Sequence, residues 1–114
     1  MKPANHTFVI SGGCSGLGLA TALAIHKAGG YISLLDLNSD NGEKILKQLN
    51  NERVVFFECD VSDTKSIEAA VNGTVEWIKK TGAPLAGCIP AAGVGAAAKV
   101  WKCIDSKLSN RHKR

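Results

Sequence analysis

The stretch SGGCSGLG, from Ser11 to Gly18, lies between the apolar run FVI and the segment LATALAIHKAGG. Glycine is favoured where a backbone turns tightly or where another group must approach it closely. The segment before it has the character of a strand, and the segment after it has apolar residues at helical spacing. A glycine-rich turn between a strand and a helix predicts a site where a ligand contacts the backbone.

The rest of the chain repeats this order of strand and helix. Four short runs rich in apolar residues predict buried strands: TFVIS (7–11), YISLLD (31–36), VVFFEC (54–59) and LAGCI (85–89). Amphipathic helices are expected over 16–28, over 41–49, and after a cap near Ser62 or Asp63. Apolar strands alternating with helices indicate a parallel sheet covered on both faces. We therefore predict an α/β, three-layer Rossmann-type fold with strand order 3-2-1-4, truncated after the fourth strand.

In such a fold the turn after the first strand holds the pyrophosphate of a dinucleotide, against the free N–H groups of the helix that follows. Asp36 ends the second strand, eighteen residues after Gly18, where a carboxylate can accept hydrogen bonds from a ribose. A tight turn without a ligand and an ordinary strand-end acid are the alternative interpretations. The two features together favour a dinucleotide site.

These motifs resemble those of the short-chain dehydrogenase/reductase family. The family's T-G-x-x-x-G-x-G motif is matched at Ser11, Gly12, Gly16 and Gly18, with serine in place of threonine, and its D-V motif is matched at Asp60-Val61. Its N-N-A-G motif falls on residues 90–93, where only Ala92 and Gly93 agree. The resemblance runs from about Thr7 to about Lys102, and within the family the chain is most similar to 3-hydroxyacyl-CoA and 17β-hydroxysteroid dehydrogenases.

The resemblance implies an NAD cofactor. Asp36 would accept from the ribose hydroxyl of NAD but would repel the 2′-phosphate of NADP, and neither Ser15 nor Leu37 is a basic residue that could compensate. Pro90 lacks an N–H and a polar side chain, so the family's hydrogen bonds at that turn cannot all form. The predicted cofactor-binding residues are Ser11, Gly12, Ser15, Gly16, Leu17, Gly18, Asp36, Leu37, Asp60, Val61, Ala92 and Gly93.

The family's catalytic Tyr-x-x-x-Lys pair and its serine have no counterpart in this sequence. The only tyrosine is Tyr31, and the residue four positions later is Leu35. We therefore predict no catalytic residue in the chain and two candidate functions. One is the NAD-binding portion of an oxidoreductase acting on a secondary alcohol or hydroxyacyl substrate, inactive as this chain. The other is a non-catalytic NAD-binding module that interferes with full-length subunits.

Charge divides the chain into two predicted regions. Six of the fourteen basic residues lie from Lys99 onward, against one acid, whereas the residues before Lys99 are nearly neutral. We expect a partial dinucleotide-binding domain over 1–98 and a basic, disordered tail over 99–114. Scattered Cys and His residues predict no metal site. We expect no specific nucleic-acid partner and no membrane partner. We do expect self-association or association with full-length subunits, a small-molecule substrate only in a longer product, and an intracellular location, cytoplasmic or mitochondrial.

Overall fold

The computed structural model describes residues 4–12, 16–37, 39–49, 52–60, 62–90 and 100–107. Four strands alternate with three helices in the order that the sequence predicts. These elements are β1 (Thr7–Ser11), α1 (Gly16–Lys27), β2 (Tyr31–Asp36), α2 (Ser39–Leu49), β3 (Val54–Glu58), α3 (Thr64–Thr81) and β4 (Leu85–Pro90).

The four strands form one parallel sheet in the order β3-β2-β1-β4, which confirms the predicted topology. The pairing of β1 with β4 is irregular at its start, since Thr7 pairs with Leu85 and Phe8 with Gly87. Ala86 is therefore the extra residue of a bulge. A bulge on an edge strand disrupts the regular row of backbone groups that another strand would pair with.

Side chains alternate between the two faces of the sheet, so each strand contributes to two apolar clusters. On one face Val9 and Leu35 pack with Ile67, Val71 and other residues of α3. On the other face Ile10, Ile32 and Leu34 pack with Ala22 and Ile25 of α1 and with Ile45 of α2. The helices thus cover both faces, as expected for a parallel sheet.

Two helix glycines lie against the aromatic rings of β3. A Cβ atom built at Gly42 in α2 would be 2.6 Å from two atoms of the Phe56 ring. A Cβ atom at Gly73 in α3 would come equally close to the ring of Phe57. The absence of a side chain at these positions therefore lets α2 and α3 approach opposite faces of β3.

The longest helix, α3, has defined caps at both ends. Asp63 is its N-cap, and its side chain accepts a hydrogen bond from the Lys65 N–H. Gly82 ends the helix in the left-handed conformation with φ 78°, and its N–H donates to the Ile78 carbonyl. Within the described ranges no helix is long and apolar enough to cross a membrane.

Residues 100–107 form a further helix, α4, where the sequence predicts a disordered tail. Val100 and Ile104 are buried and join the cluster beneath α3, with Cys103 packed at its border. These three residues recur at helical spacing, so the charge of the segment concealed an apolar face. The remainder of the predicted tail, from residue 108, lies outside the described residues, and the boundary near residue 98 stays a prediction.

Candidate functional site

The carboxyl ends of three adjacent strands bring the predicted polar residues to one edge of the sheet. Ser11 at the end of β1 pairs with Leu35 of β2, and Asp36 of β2 pairs with Glu58 of β3. Backbone hydrogen bonds continue past the strand ends, from the Gly12 N–H to the Leu35 carbonyl at 2.7 Å and from the Cys59 N–H to the Asp36 carbonyl at 2.9 Å. Ligands of open α/β sheets bind at this edge.

Two described glycines of the turn have backbone angles that allow a ligand to approach closely. Gly12 and Gly16 have φ angles of 70° and 55°, which side-chain-bearing residues rarely adopt. A Cβ atom built at Gly16 would meet nothing within 4 Å, so the space beside the start of α1 is open. Gly18 is buried, as close packing of α1 on the sheet requires. The first turn of α1 carries no acidic side chain, which keeps its positive end available to an anion.

Ser11 contributes a buried hydroxyl at the floor of this edge. The residue is fully buried, and its Oγ atom has no hydrogen-bond partner within the described part of the chain. On β4 its register partner is Pro90, which has no N–H to donate. A buried hydroxyl without a partner is costly, and such atoms in native proteins call for an explanation.

Two apolar side chains flank the same edge. Leu17, in the first turn of α1, is 80% exposed, and Leu37, directly after Asp36, is 61% exposed. They are two of the three large apolar residues that are exposed in the described part of the chain. A bound molecule with flat apolar rings would cover such side chains, as they stand beside the glycine turn and the end of β2.

The turn after β3 is organised around the Asp60 carboxylate. Its Oδ1 atom accepts hydrogen bonds from the Ser62 hydroxyl at 2.6 Å and from the Ser62 N–H at 2.9 Å. The Asp60 N–H donates to Ser66 Oγ at 2.8 Å. The bonds from Ser62 hold the pKa of the Asp60 carboxyl below its usual value, against the opposing effect of desolvation. Asp60 therefore remains ionised and fixes the loop that leads into α3.

Ser62 and Ser66 form hydrogen bonds with Asp60 and are not among the predicted site residues. Both support Asp60 and so fix the shape of the third strand's exit. The signal was present in the order of residues, since a serine two positions after an aspartate is the spacing of a side-chain turn.

Among the described cysteines Cys59 is buried and Cys88 and Cys103 are half-buried, and burial raises the pKa of each thiol. Burial raises the pKa of Cys88 to about 11. Burial also raises the pKa of Cys59, where a hydrogen bond with Ser66 opposes the rise and the charges of Asp60 and Asp63 add to it. A reactive cysteine needs a lowered pKa, so these groups have the opposite character. The described residues contain no cluster of three side chains suited to a metal ion.

Four predicted site residues cannot be located. Ser15, Val61, Ala92 and Gly93 lie outside the described residues. The other predicted residues lie at the ends of β1 and β2, directly after β1 and β2, in the turn after β3, or in the first turn of α1: Ser11, Asp36, Gly12, Leu37, Asp60, Gly16, Leu17 and Gly18.

A comparison of the sequence with protein-family models agrees with this arrangement of strands, helices and glycine turn. A short chain dehydrogenase model matches residues 6–110. The chain belongs to the short-chain dehydrogenase family. The match also extends beyond Lys102, where the sequence prediction ended the resemblance, and it includes all of α4. Members of this family bind a nicotinamide dinucleotide, NAD or NADP.

Individual relatives of this short-chain dehydrogenase chain agree with that assignment. It is 32% identical over 105 residues to a (+)-cis,cis-nepetalactol synthase of Nepeta racemosa, covering 90% of the chain and 37% of that protein. It is 44% identical over 63 residues to the 3-hydroxyacyl-CoA dehydrogenase type-2 of Homo sapiens, covering 55% of the chain and 24% of that protein. The chain thus spans between a quarter and two fifths of the length of these relatives.

Solved structures show the same fold. A short-chain dehydrogenase/reductase of Brucella melitensis, described as a glucose/ribitol dehydrogenase, matches with a TM-score of 0.80 at 20% identity, covering 91% of this chain and 52% of that one. The 3-hydroxyacyl-CoA dehydrogenase type-2 of Mycobacterium avium matches with a TM-score of 0.76 at 19% identity, covering 92% and 49%.

The residues present fit the dinucleotide that the family implies. The open space at Gly16 and the acid-free first turn of α1 suit a pyrophosphate. Ser11, at the end of β1, adds a buried hydroxyl that has no hydrogen-bond partner among the described residues. Asp36 ends the neighbouring strand β2, where the family's dinucleotide fold would place the ribose.

Proposed function

We propose that this chain is the NAD-binding portion of a short-chain dehydrogenase-type oxidoreductase that acts on a secondary alcohol or a hydroxyacyl compound. The observation that carries the proposal is the meeting of the glycine turn, Asp36 and Asp60 at one edge of the sheet. When bound, a nicotinamide dinucleotide supplies the group that accepts or donates hydride. The chain's own residues bind and orient it.

The choice of NAD over NADP rests on charge. Asp36 presents a carboxylate where the ribose hydroxyls would lie, and a carboxylate accepts from a hydroxyl but repels a phosphate. Leu37, which follows it, is exposed and carries no charge that could attract a phosphate. A related protein of Cochliobolus lunatus is described as NADP-dependent. The preference must therefore come from individual residues rather than from the fold.

The substrate class rests on the relatives. Proteins described as 3-hydroxyacyl-CoA dehydrogenase type-2, from Drosophila melanogaster and Homo sapiens, match this chain at 40% and 44% identity. Other matches are described as a 5'-hydroxyaverantin dehydrogenase and a D-threitol dehydrogenase. A hydroxyl on a secondary carbon is common to these substrates, and we propose the same group for this protein.

Proton transfer is a separate requirement, and the sequence lacks the Tyr-x-x-x-Lys pair that serves it in the family. Tyr31 is the only tyrosine, and it begins β2, at the opposite end of the strand from Asp36. Over the six residues of β2 these ends are about 17 Å apart at ~3.3 Å per residue. Tyr31 is too far from the dinucleotide edge to exchange a proton there. We therefore propose that the 114-residue chain binds NAD without turning over substrate.

A non-catalytic module is the second candidate. The same absence of a placed acid or base fits a protein that binds NAD and associates with full-length subunits of the family. Both candidate functions require dinucleotide binding. They differ in whether a longer polypeptide that includes this chain would be catalytically active.

Titration of the purified chain with NADH and NADPH, followed by nucleotide fluorescence, tests the proposal. We expect the chain to bind NADH more tightly than NADPH. Asp36→Ala should bring the two dissociation constants closer together, because it weakens NADH binding and strengthens NADPH binding. Glu43→Ala removes an exposed carboxylate of α2 as a matched control and should leave both affinities unchanged. Equal or tighter binding of NADPH by the unmodified chain would show that the assignment of Asp36 is wrong.

Turnover is tested separately with NAD and a panel of hydroxyacyl-CoA and secondary-alcohol substrates. Positioned acid or base groups accelerate such reactions by about 10²- to 10⁴-fold, so without them we expect no steady formation of NADH. Steady turnover that Gly16→Trp abolishes would show the chain to be a complete enzyme. That result would overturn the proposed inactivity while leaving dinucleotide binding intact.

A further inference from the structure

A cavity lies near the amino ends of β2 and β3, at the opposite end of the sheet from the dinucleotide edge. It has a volume of about 560 Å³ and is lined by residues that begin β2 and β3 and end α3: Tyr31, Glu52, Val54, Trp77, Lys80 and Thr81. Small-molecule sites typically have volumes of about 300–1,000 Å³. We call it the lower cavity. Neither the family match nor the predicted site residues assign it a role.

The wall of the lower cavity is an aromatic pair. The rings of Tyr31 and Trp77 have centroids 6.0 Å apart and are tilted by 58°. Both side chains are half-buried, so part of each ring remains open to solvent. An additional ring can pack against such a pair at the same range of distances, because aromatic rings attract one another in tilted and offset arrangements.

Two opposite charges lie at the same cavity. Glu52 and Lys80 are exposed, and neither forms an ion pair with a described residue. The adjacent Lys79 does form one, with Glu76 at 3.5 Å on the outer surface of α3. A carboxylate and an ammonium group that share a cavity without pairing can each bind the complementary charge of a ligand.

The backbone around the lower cavity is held by hydrogen bonds. Arg53 donates to the carbonyl oxygens of His26 at 2.8 Å and Gly30 at 3.1 Å, which ties the start of β3 to the turn before β2. The Thr81 hydroxyl donates to the Ile78 carbonyl and accepts from the Ala83 N–H, both at 3.3 Å. A cavity fixed in this way loses little freedom when a ligand binds.

We propose that the lower cavity binds a small zwitterion with an aromatic ring, of the chemical class of an aromatic α-amino acid. The ring packs against Tyr31 and Trp77, the ammonium group faces Glu52, and the carboxylate faces Lys80. Neither a simple anion nor a simple cation satisfies both charges, and an aliphatic zwitterion leaves the rings uncovered.

Tryptophan fluorescence provides a local measurement. The chain has two tryptophans, and Trp101→Phe leaves Trp77 as the only one. L-Phenylalanine is a suitable probe, since it does not absorb at the red edge of the indole band. For a ligand of about a dozen heavy atoms we expect a dissociation constant of about 1 mM. Phenethylamine, 3-phenylpropionate and L-alanine each lack one feature of the probe and should bind more weakly.

Variants test the charges and the ring. Glu52→Gln and Lys80→Gln should each weaken L-phenylalanine binding by about twofold to fivefold, the range for exposed ion pairs. Lys79→Gln is the matched control, because Lys79 lies beside Lys80 but pairs with Glu76, and it should change nothing. Tyr31→Leu should weaken binding by about threefold to tenfold, whereas Tyr31→Phe keeps the ring and should have little effect.

The probe series on the Trp101→Phe chain decides the proposal even if Tyr31→Leu fails to fold. Circular dichroism confirms folding of each variant independently of NADH. The absence of a saturable change in Trp77 fluorescence would overturn the proposal. The proposal would also be overturned if L-alanine bound as tightly as L-phenylalanine, or if neither Glu52→Gln nor Lys80→Gln changed the affinity for L-phenylalanine.

Discussion

Substitution of Gly42 by alanine tests how closely α2 is packed on the sheet. In an exposed helix this change stabilises a protein by about 1 kcal/mol, because alanine loses less conformational freedom on folding. In this chain the new Cβ atom would be 2.6 Å from Cδ1 and Cε1 and 2.7 Å from Cγ of the Phe56 ring. Because Cγ lies on the axis about which the ring rotates, rotation of the Phe56 ring cannot relieve this contact.

The expected loss of stability follows from how far α2 must move to relieve the contact between the new Cβ atom and the Phe56 ring. Ordinary contacts of a Cβ atom begin near 3.4 Å, so α2 must move outward by about 0.8 Å, the difference between 3.4 and 2.6 Å. Ile45 and Leu46 on the same helix would then lose contact with the cluster they share with Ile10 and Leu34. Inserting a methyl group into a packed core costs about 1–3 kcal/mol. After subtracting the gain of about 1 kcal/mol in helix propensity, we expect a net loss of about 1 kcal/mol.

Thermal or urea unfolding followed by circular dichroism measures this loss. For a domain of this size 1 kcal/mol corresponds to a fall of about 4 °C in the midpoint. Phe56→Leu removes the ring, so in that background Gly42→Ala should become stabilising, with a coupling energy of about 1–2 kcal/mol. If Gly42→Ala stabilises the unmodified chain, the close approach of α2 to Phe56 is wrong.

Three further perturbations have expected outcomes. The folded-state pKa of Cys88 lies near 11, above its unfolded value, so its contribution to stability is present below pH 9 and is lost as the pH rises towards 11. In chemical unfolding across this pH range, the free energy of unfolding of Cys88→Ala should therefore decline less than that of the parent chain. Burial and the charge of Arg53 lower the pKa of His26, so the stability of the parent chain should fall as the pH drops below about 6.5. Over the same pH range the urea unfolding midpoint of His26→Gln should fall less than that of the parent chain. Beyond the bulge at Ala86, the outer side of β4 has no partner strand within the described ranges and carries no charge. Light scattering should therefore detect self-association that Ala86→Lys reduces, since Ala86 belongs to neither apolar cluster, and a strictly monomeric parent chain would contradict this.

The strands and their order could be predicted because their apolar runs are continuous and are separated by clear helical periods. The predicted bounds of β1 and β2 are those of the structure, and β3 and β4 differ by one residue at their ends. Helix α2 begins at Ser39, two residues before the predicted start. Ends of helices depend on caps and hydrogen bonds that a sequence pattern locates only approximately.

Helix α4 could not be predicted from charge and composition. Lys102, Asp105 and Lys107 dominate the segment, and they suggested a solvated tail. The burial of Val100 and Ile104 depends on the apolar side of α3, which lies far away in sequence. Tertiary contacts of this kind override the local character of a segment.

The candidate site could be predicted in its residue types but not in its internal contacts. The positions of Gly12, Gly16 and Asp36 at one edge of the sheet follow from a spacing that reflects a strand, a turn and a second strand, and their role in binding stays a prediction. The lack of a partner for the Ser11 hydroxyl among the described residues could not be anticipated, because it depends on which atoms the fold places around that buried oxygen. The lower cavity is also a product of the fold, since its residues come from three separate segments.

Phe56 and Phe57 are consecutive residues that point to opposite faces of β3, each beneath a helix glycine. This arrangement has a consequence for the evolution of related sequences. A side chain can replace Gly42 only where position 56 carries something smaller than phenylalanine, and the same dependence links Gly73 to position 57. Because the sheet separates the two pairs, substitutions in one should be inherited independently of substitutions in the other. An alignment of relatives should therefore contain two separate pairs of covarying positions rather than one group of four.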